Sequence, residues 1–498
     1  MKKTRKEFLQ QAASIGLFSA IGRACRPATA IAATTATPPP QLTMGVISDV
    51  HVCMADDGHT FVKNHDCATL LNTLTWYRDQ GVDAVMIAGD MSDVGHVNSL
   101  ERIAETWFKV FPNDKAPDGR PVARLFATGN HDWDGWTYQG AAKRERNYKT
   151  SIRLNHAKAW ERIFHEPYQA VWHKQVKGFD VVGHHWEGND WSRMAEWFKL
   201  NGKKLDPRKP FFYVQHPQLK DTCYGSATYG VGRWGTAKGI VRDCWGHDNG
   251  VTTKALAQFP NAVAFSGHSH YPVTDERAFW CEEFTSICTA SLRYTCNHDT
   301  WWKPGYENGT GSQDRLCERD GYHYDSRQGL LVRVYDDRIV YTRRDFMYNL
   351  SLGDDLVQPF TPATRGAFTW KARSAKETAP SFAPEAKLTL SRTMCKKRGA
   401  KKGDALVAAI QISIPAPART KCRAMEFSIE LTGGGKTVTR AAHVHGYDYA
   451  PEDRRAKEPT VINVAASPFA DAKKVSVKVW PVTALGTKGK ALVGTLEG

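Results

Sequence analysis

The chain has 498 residues, of which 41% are hydrophobic, 24% charged and 11% aromatic. This length holds two or three cores at ~100–200 residues per domain, and the apolar content excludes a disordered chain. The longest nearly unbroken apolar run, Ala12 to Gly22, is shorter than the ~18–20 residues of a membrane span, so a polytopic membrane protein is excluded. The net charge of +15 is uneven: residues 371–498 hold 23 Lys and Arg against 11 Asp and Glu, residues 1–32 hold six against one, and 33–370 are left at about −2. A nucleic-acid binder carries positive charge at its working surface, so a nucleic-acid partner is not expected.

Residues 1–32 read as an export signal. Lys2, Lys3, Arg5 and Lys6 form a basic start, the run from Ala12 an apolar middle, and Ala28-Thr29-Ala30 a small-residue cleavage site. Thr4-Arg5-Lys6-Glu7-Phe8-Leu9 resembles a bacterial twin-arginine signal, with Lys6 at the second arginine position. Either that route or the general one places the mature protein in the periplasm or outside the cell. Cleavage after Ala30 leaves ten of the 11 cysteines. In an oxidising compartment Cys223 with Cys244, and Cys395 with Cys422, are candidate disulfides. No C-x-x-C is present, which argues against a thiolate zinc site or a redox motif.

After a Thr/Ala/Pro tether at 33–41, apolar strands alternate with helical spacing. Strands are expected at Leu42–Asp49, Val82–Ala88, Val122–Thr128, Val181–Trp186, Phe211–Gln215 and Ala262–Ser266, with helices at Ala68–Arg78 and Leu100–Val110. Leu330–Val334 and Arg338–Arg343 form a hairpin turning at Asp336-Asp337. The alternation predicts a layered α/β domain over 42–350. Residues 351–383, rich in Pro, Thr, Ala and Ser, read as a linker. From 384 to 498 short strands between turn signals (Lys387–Ser391, Ala405–Ile414, Ala424–Leu431, Val461–Val464, Val475–Trp480) predict a small all-β sandwich.

Five polar clusters follow predicted strands: Asp49-Val50-His51, Gly89-Asp90-Met91-Ser92-Asp93, Gly129-Asn130-His131-Asp132, Gln215-His216 and Gly267-His268-Ser269-His270. Ligands of open α/β sheets bind beyond the carboxyl ends of strands, so five segments would deliver these side chains to one rim. Asp49, His51, Asp90, Asn130, His216, His268 and His270 offer oxygen and imidazole donors and no thiolate, which suits Mn, Fe, Zn or Mg. Seven donors exceed one open zinc site and fit two divalent ions sharing a carboxylate. Each cluster alone is an ordinary turn sequence; the five together, in order and at strand ends, are specific.

D-x-H, G-D-x-x-D, G-N-H-D, a lone His and G-H-x-H, spanning residues 43–272, resemble the calcineurin-like metallophosphoesterase superfamily. The resemblance implies a four-layer αββα sandwich and a dinuclear centre with a metal-bridging hydroxide as nucleophile. It implies Asp49, His51, Asp90 and His270 on one metal, and Asp90, Asn130, His216 and His268 on the other. His131 then assists the leaving group, and Asp93 orients that imidazole and raises its pKa, with Asp132 as an alternative partner. Val94 stands where protein Ser/Thr phosphatases have Arg, and His51 and Asp93 stand where purple acid phosphatases have Gly and Tyr. The bacterial phosphodiesterase and phosphomonoesterase group remains.

Trp133 and Trp136 follow His131 closely and are the expected wall of a substrate pocket, against the alternative that the aromatic insertions pack on themselves. His184, His185, His96 and Asp248 read as strand-end or turn residues, and Arg193, Arg233 and Arg293 each read alone as surface. The expected activity is hydrolysis of a small phosphomonoester or phosphodiester. Two alternatives stand beside it. One is an envelope polymer-binding protein with a non-catalytic metal centre, whose basic run Lys396-Lys397-Arg398 to Lys401-Lys402 holds an anionic polymer. The other is a nuclease of the same superfamily. Survival of polymer binding after metal removal marks the first, and a steep salt dependence of activity the second.

Overall fold

The computed structural model describes residues 38–498 apart from 55–59, 64, 189, 224–247, 297–306, 308–321, 324–325, 362, 398–399, 401–402, 419–422 and 448. The export signal and most of the tether lie outside the described residues. Strands β1 (Leu42–Ile47), β2 (Ala84–Ala88) and β3 (Ala123–Ala127) run parallel and begin the first sheet. The chain then builds a second sheet from β4 (Val171–Val176), β5 (Phe179–His184), β6 (Phe211–Val214), β7 (Ala262–Ser266), β8 (Phe279–Cys281) and β9 (Thr285–Cys288), in the order β4-β5-β6-β7-β9-β8. A two-stranded ribbon, β10 (Thr295–Cys296) with β11 (Tyr322–His323), follows. The chain returns to the first sheet with β12 (Gln328–Val334), β13 (Arg338–Asp345), β14 (Leu350–Ser351) and β15 (Leu356–Pro359); β12 lies antiparallel to β1.

The strands β1 to β3 are buried on both faces, which explains their nearly continuous apolar sequences. Met44, Val46, Met86 and Leu125 face the second sheet and share a core with Val181, Phe212, Val263 and Phe265. Ile47, Val85, Ile87 and Phe126 face the other way, onto Leu70, Leu74 and Tyr77 of helix Ala68–Asp79 and Leu100, Ile103 and Trp107 of helix Val97–Val110. In the second helix the buried residues recur every three or four positions, as one apolar stripe requires. Beyond the second sheet, helices Ser192–Asn201 and Val251–Leu256 contribute Met194, Phe198 and Leu256 to its core. The order is helix, sheet, sheet, helix, the αββα layering expected from the sequence.

The segment 351–383, read from composition as a linker, is structured. It carries β15 and helix Trp370–Ser374, and Leu352 and Phe368 are buried in the core to which both sheets contribute. The C-terminal strands are β16 (Thr389–Lys396), β17 (Leu406–Ile414), β18 (Ala424–Gly433), β19 (Lys436–His443), β20 (Thr460–Ala465), β21 (Lys474–Thr483) and β22 (Leu492–Glu497). They form two antiparallel sheets, β16-β17-β20 and β19-β18-β21-β22, around a core of Ile410, Ile412, Phe427, Ile429, Val477 and Val479. Residues Pro40–Gly498 make one unit. Cys223 and Cys395 are free thiols, and their expected partners Cys244 and Cys422 lie outside the described residues. Cys223 is instead buried with its Sγ directed at Ser286 Oγ (3.5 Å). Among the described residues no helix is long and apolar enough to cross a membrane.

Candidate metal centre

The carboxyl ends of β1, β2, β3, β6 and β7 open into the five polar clusters. Backbone bonds stitch the loops together: Asp49 N–H donates to Gly89 O (3.0 Å), His51 N–H to Asp90 O (3.0 Å) and Gly267 N–H to His216 O (2.9 Å). Asp49, His51, Asp90, His268 and His270 all have left-handed backbone, with φ between 51° and 69°. Non-glycine residues rarely adopt that region, and it concentrates at functional sites. A Cβ on Gly129 would run into the Asp90 carboxylate, so the close approach of the third loop to the second demands glycine there.

Two groups with metal-ligand spacing result: Asp49, His51 and His270, and Asp90, His216 and His268. In the first, Asp49 Oδ1 is 3.0 Å from His270 Nε2 and 3.7 Å from His51 Nε2. Asp90 Oδ2 lies 3.0 Å from His216 Nε2 and 3.8 Å from His51 Nε2, between the groups. The outward atoms are tied down. Asp90 Oδ1 accepts His131 N–H (2.8 Å) and Asp49 Oδ2 accepts His268 N–H (3.1 Å). His216 Nδ1 meets Ala88 O (2.7 Å), His270 Nδ1 meets Tyr294 O (3.1 Å) and His51 Nδ1 meets Asp93 Oδ1 (3.0 Å). Oxygen acceptors on Nδ1 fix the tautomer that turns a bare Nε2 inward, the arrangement of metal-binding histidines.

The inward atoms crowd against one another, nitrogen against nitrogen as well as against carboxylate. His51 Nε2 faces His270 Nε2 at 3.3 Å, and His268 Nδ1 faces His216 Nε2 at 3.2 Å. Asn130 Oδ1 is buried without a hydrogen-bond partner, and Asp49 Oδ1 makes no aligned bond. Facing lone pairs and buried carboxylate oxygens need cations between them. In the protein alone protons play that part. Burial works against a charged His51, but bonds to Asp49 and Asp93 outweigh it and push its pKa up to about 10. His216 rises to about 9 against the same burial, through Asp90 and Asp49. Burial likewise opposes ionisation of Asp49 and Asp90, yet the histidines hold both carboxyls low. The donor set fits divalent metal ions.

Asp93 and His131 complete a third, overlapping group with His51. The expected pairing is corrected in detail: the Asp93 carboxylate binds His51, while the Asp93 backbone oxygen meets His131 Nδ1 (2.7 Å), the nearest carboxylate oxygen being 3.8 Å away. The His131 pKa is lowered, not raised, because burial outweighs Asp90 and Asp93. Asp132 does not take the alternative role. Its carboxylate accepts the N–H groups of Met91 (3.2 Å), Ser92 (2.6 Å) and Gly129 (2.8 Å) and braces the second loop against the third.

Trp133 and Trp136, expected at a pocket wall, pack against rings of their own insertion. Trp133 is buried against His156 of helix Ile152–Phe164, and Trp136 is half-buried against Tyr148. The insertion packs on itself, as aromatic-rich segments do when local apolar neighbours are available. Among the described residues, the aromatic rings that reach the site are Tyr138, 4.8 Å from His131, and Tyr294, 4.3 Å from His270. His65 also approaches, its Nδ1 2.9 Å from His51 O and 3.8 Å from Asp93 Oδ2. No motif marks these three; their proximity exists only in the folded chain. His184 and His185 are buried at a strand end, and Asp248 caps a turn through Lys220, Gly250 and Thr252 N–H groups. Arg193 pairs with Glu187 (2.5 Å), whereas Arg233 and, in the basic run, Arg398, Lys401 and Lys402 lie outside the described residues.

Residues 42–272 match the model of the calcineurin-like phosphoesterase family. A dimetal phosphatase from Danio rerio is similar at 13% identity over 65% of this chain and 100% of its own, with a TM-score of 0.35. A purple acid phosphatase from yellow lupin seeds is similar at 13% identity over 67% of this chain and 57% of its own, with a TM-score of 0.39. A vacuolar protein sorting 29 structure from Cryptosporidium parvum is similar at 10% identity over 64% of this chain and 98% of its own, with a TM-score of 0.26. A search of curated proteins finds no match.

Proposed function

We propose that the protein hydrolyses phosphate esters, diesters or monoesters, at a centre of two divalent metal ions. Asp49, His51 and His270 would hold one ion, Asn130, His216 and His268 the other, and Asp90 both. The observation that carries this reading is the Asp90 carboxylate, with one oxygen fixed by His131 N–H and the other between His51 and His216. Bound ions of Mn, Fe, Zn or Mg would supply an activated water and neutralise charge on the phosphoryl oxygens. His131, held through Nδ1 by the Asp93 backbone, keeps Nε2 for the leaving alkoxide and would donate a proton from it only with the ring doubly protonated. Asp93 steadies His51 through its carboxylate, so one residue serves both histidines. The basic, apolar, small-residue order of residues 1–32 supports action in the periplasm or outside the cell.

The test is hydrolysis of a chromogenic phosphodiester and its monoester by metal-stripped protein with and without added Mn²⁺. Turnover should require metal, and His131→Ala should lose about 10²–10⁴-fold in kcat at unchanged metal content. Full activity in His131→Ala removes the proton-donor role. No turnover of either ester with both ions bound favours a binding protein instead.

A further inference from the structure

Tyr138 ends the short 3-10 turn Gly135–Tyr138 that follows Asn130 and His131. The turn is anchored on several sides. Asp134 O accepts Thr137 Oγ1 (2.7 Å), and the Asp134 carboxylate accepts Arg153 (2.9 Å) and Trp186 Nε1 (3.4 Å). Trp136 packs on Tyr148, with ring centroids 4.8 Å apart, and Gln139 accepts the Asn147 amide. Tyr138 therefore arrives at a defined point although its side chain is 56% exposed. Its hydroxyl oxygen accepts Asn130 Nδ2–H at 3.0 Å. An amide whose nitrogen is held from one side must present its oxygen to the other, and Asn130 Oδ1 is buried with no hydrogen-bond partner. Both chain neighbours of Asn130 touch Asp90: His131 N–H donates to its carboxylate, and Gly129 packs against it.

We propose that Tyr138 is a positioning residue of the metal centre, whose hydroxyl holds the Asn130 amide so that its oxygen faces the ion shared with His216 and His268. The inference rests on the two-ion reading above. It adds to that reading a side chain outside the five clusters, supplied by the insertion that follows the third. Partners that orient a metal ligand typically change affinity by ~10–100-fold when removed.

The test compares wild type, Tyr138→Phe, Asn130→Ala and the double variant. Each metal-stripped protein is titrated with Mn²⁺ by calorimetry, with bound metal measured after dialysis. Wild type should bind two ions. Tyr138→Phe should weaken one of them by about 10–100-fold and leave the other unchanged. Its activity should fall at limiting Mn²⁺ and recover at saturating Mn²⁺, with KM for the ester unchanged. A merely structural role would not be rescued by metal. In the Asn130→Ala background, Tyr138→Phe should add nothing, since its effect runs through that amide. Two ions bound by Tyr138→Phe with wild-type affinity, or a full additional loss in the double variant, overturns the inference while the two-ion reading stands. Fewer than two ions on wild type overturns both.

Discussion

Burial works against a charged ring at His51, His216 and His184 alike, and the neighbouring carboxylates decide the outcome. His51 and His216 face Asp49, Asp90 and Asp93, so they rise to about 10 and 9 despite being buried. His184, at the end of β5, is buried with Nδ1 unpartnered; burial outweighs the distant Asp190 and brings its pKa down to about 4. The consequence for stability has a definite sign. Below pH 6.5 the unfolded chain takes up a proton at this position that the folded chain refuses until about pH 4. Stability from neutral His184 is therefore complete above pH 6.5 and is lost as pH falls towards 4. The gap corresponds to about 3 kcal/mol. His184→Gln, which cannot take up that proton, should lose less stability than wild type between pH 7 and 4. Urea titrations at several pH values check this, and parallel losses in the two proteins would refute it.

At the scale of elements, the first sheet depends on close approach between β1 and the helix beneath it. A Cβ on Gly45 would meet the ring of Tyr77, whose hydroxyl donates to Leu330 O at 2.8 Å on the neighbouring strand β12. Gly45→Ala should displace the ring and strain that bond, costing about 1–3 kcal/mol as overpacking does; Gly45→Ala with Tyr77→Phe should not restore stability, because the ring itself is in the way. Thermal unfolding of both variants checks this. The same element shows what a sequence reveals. β1, β2 and β7 are almost wholly apolar because both faces are covered, and the candidate metal ligands follow their ends directly. β4 mixes Trp172 and Val176 with exposed His173, and β19 exposes Lys436 and Thr437, so their patterns resemble loops. Tyr138 and Tyr294 are illegible for another reason: they reach the site through packing between distant segments, which has no period.

For the whole molecule, the polar interior between the metal loops and the C-terminal sheets matters most. Tyr271, the residue after His270, places its hydroxyl 3.3 Å from His443 Nε2 on β19. Arg277, fully buried, binds Asp275 through Nε (2.9 Å) and Nη2 (2.6 Å) and Glu426 of β18 through Nη1. Charged groups in such an interior are tolerable when paired, and removing one partner strands the other in a medium that solvates it poorly. The C-terminal strands thus supply counter-charge to the segment that carries His268 and His270. Glu426→Ala should cost about 3–5 kcal/mol, because Arg277 keeps Asp275 but loses the carboxylate at Nη1. The loss should appear as one earlier unfolding transition of the metal region and the C-terminal sheets together. Separate transitions, or a cost below about 1 kcal/mol, would show that the two regions stand independently and that the buried pair contributes little. Differential scanning calorimetry of wild type and Glu426→Ala distinguishes the two results.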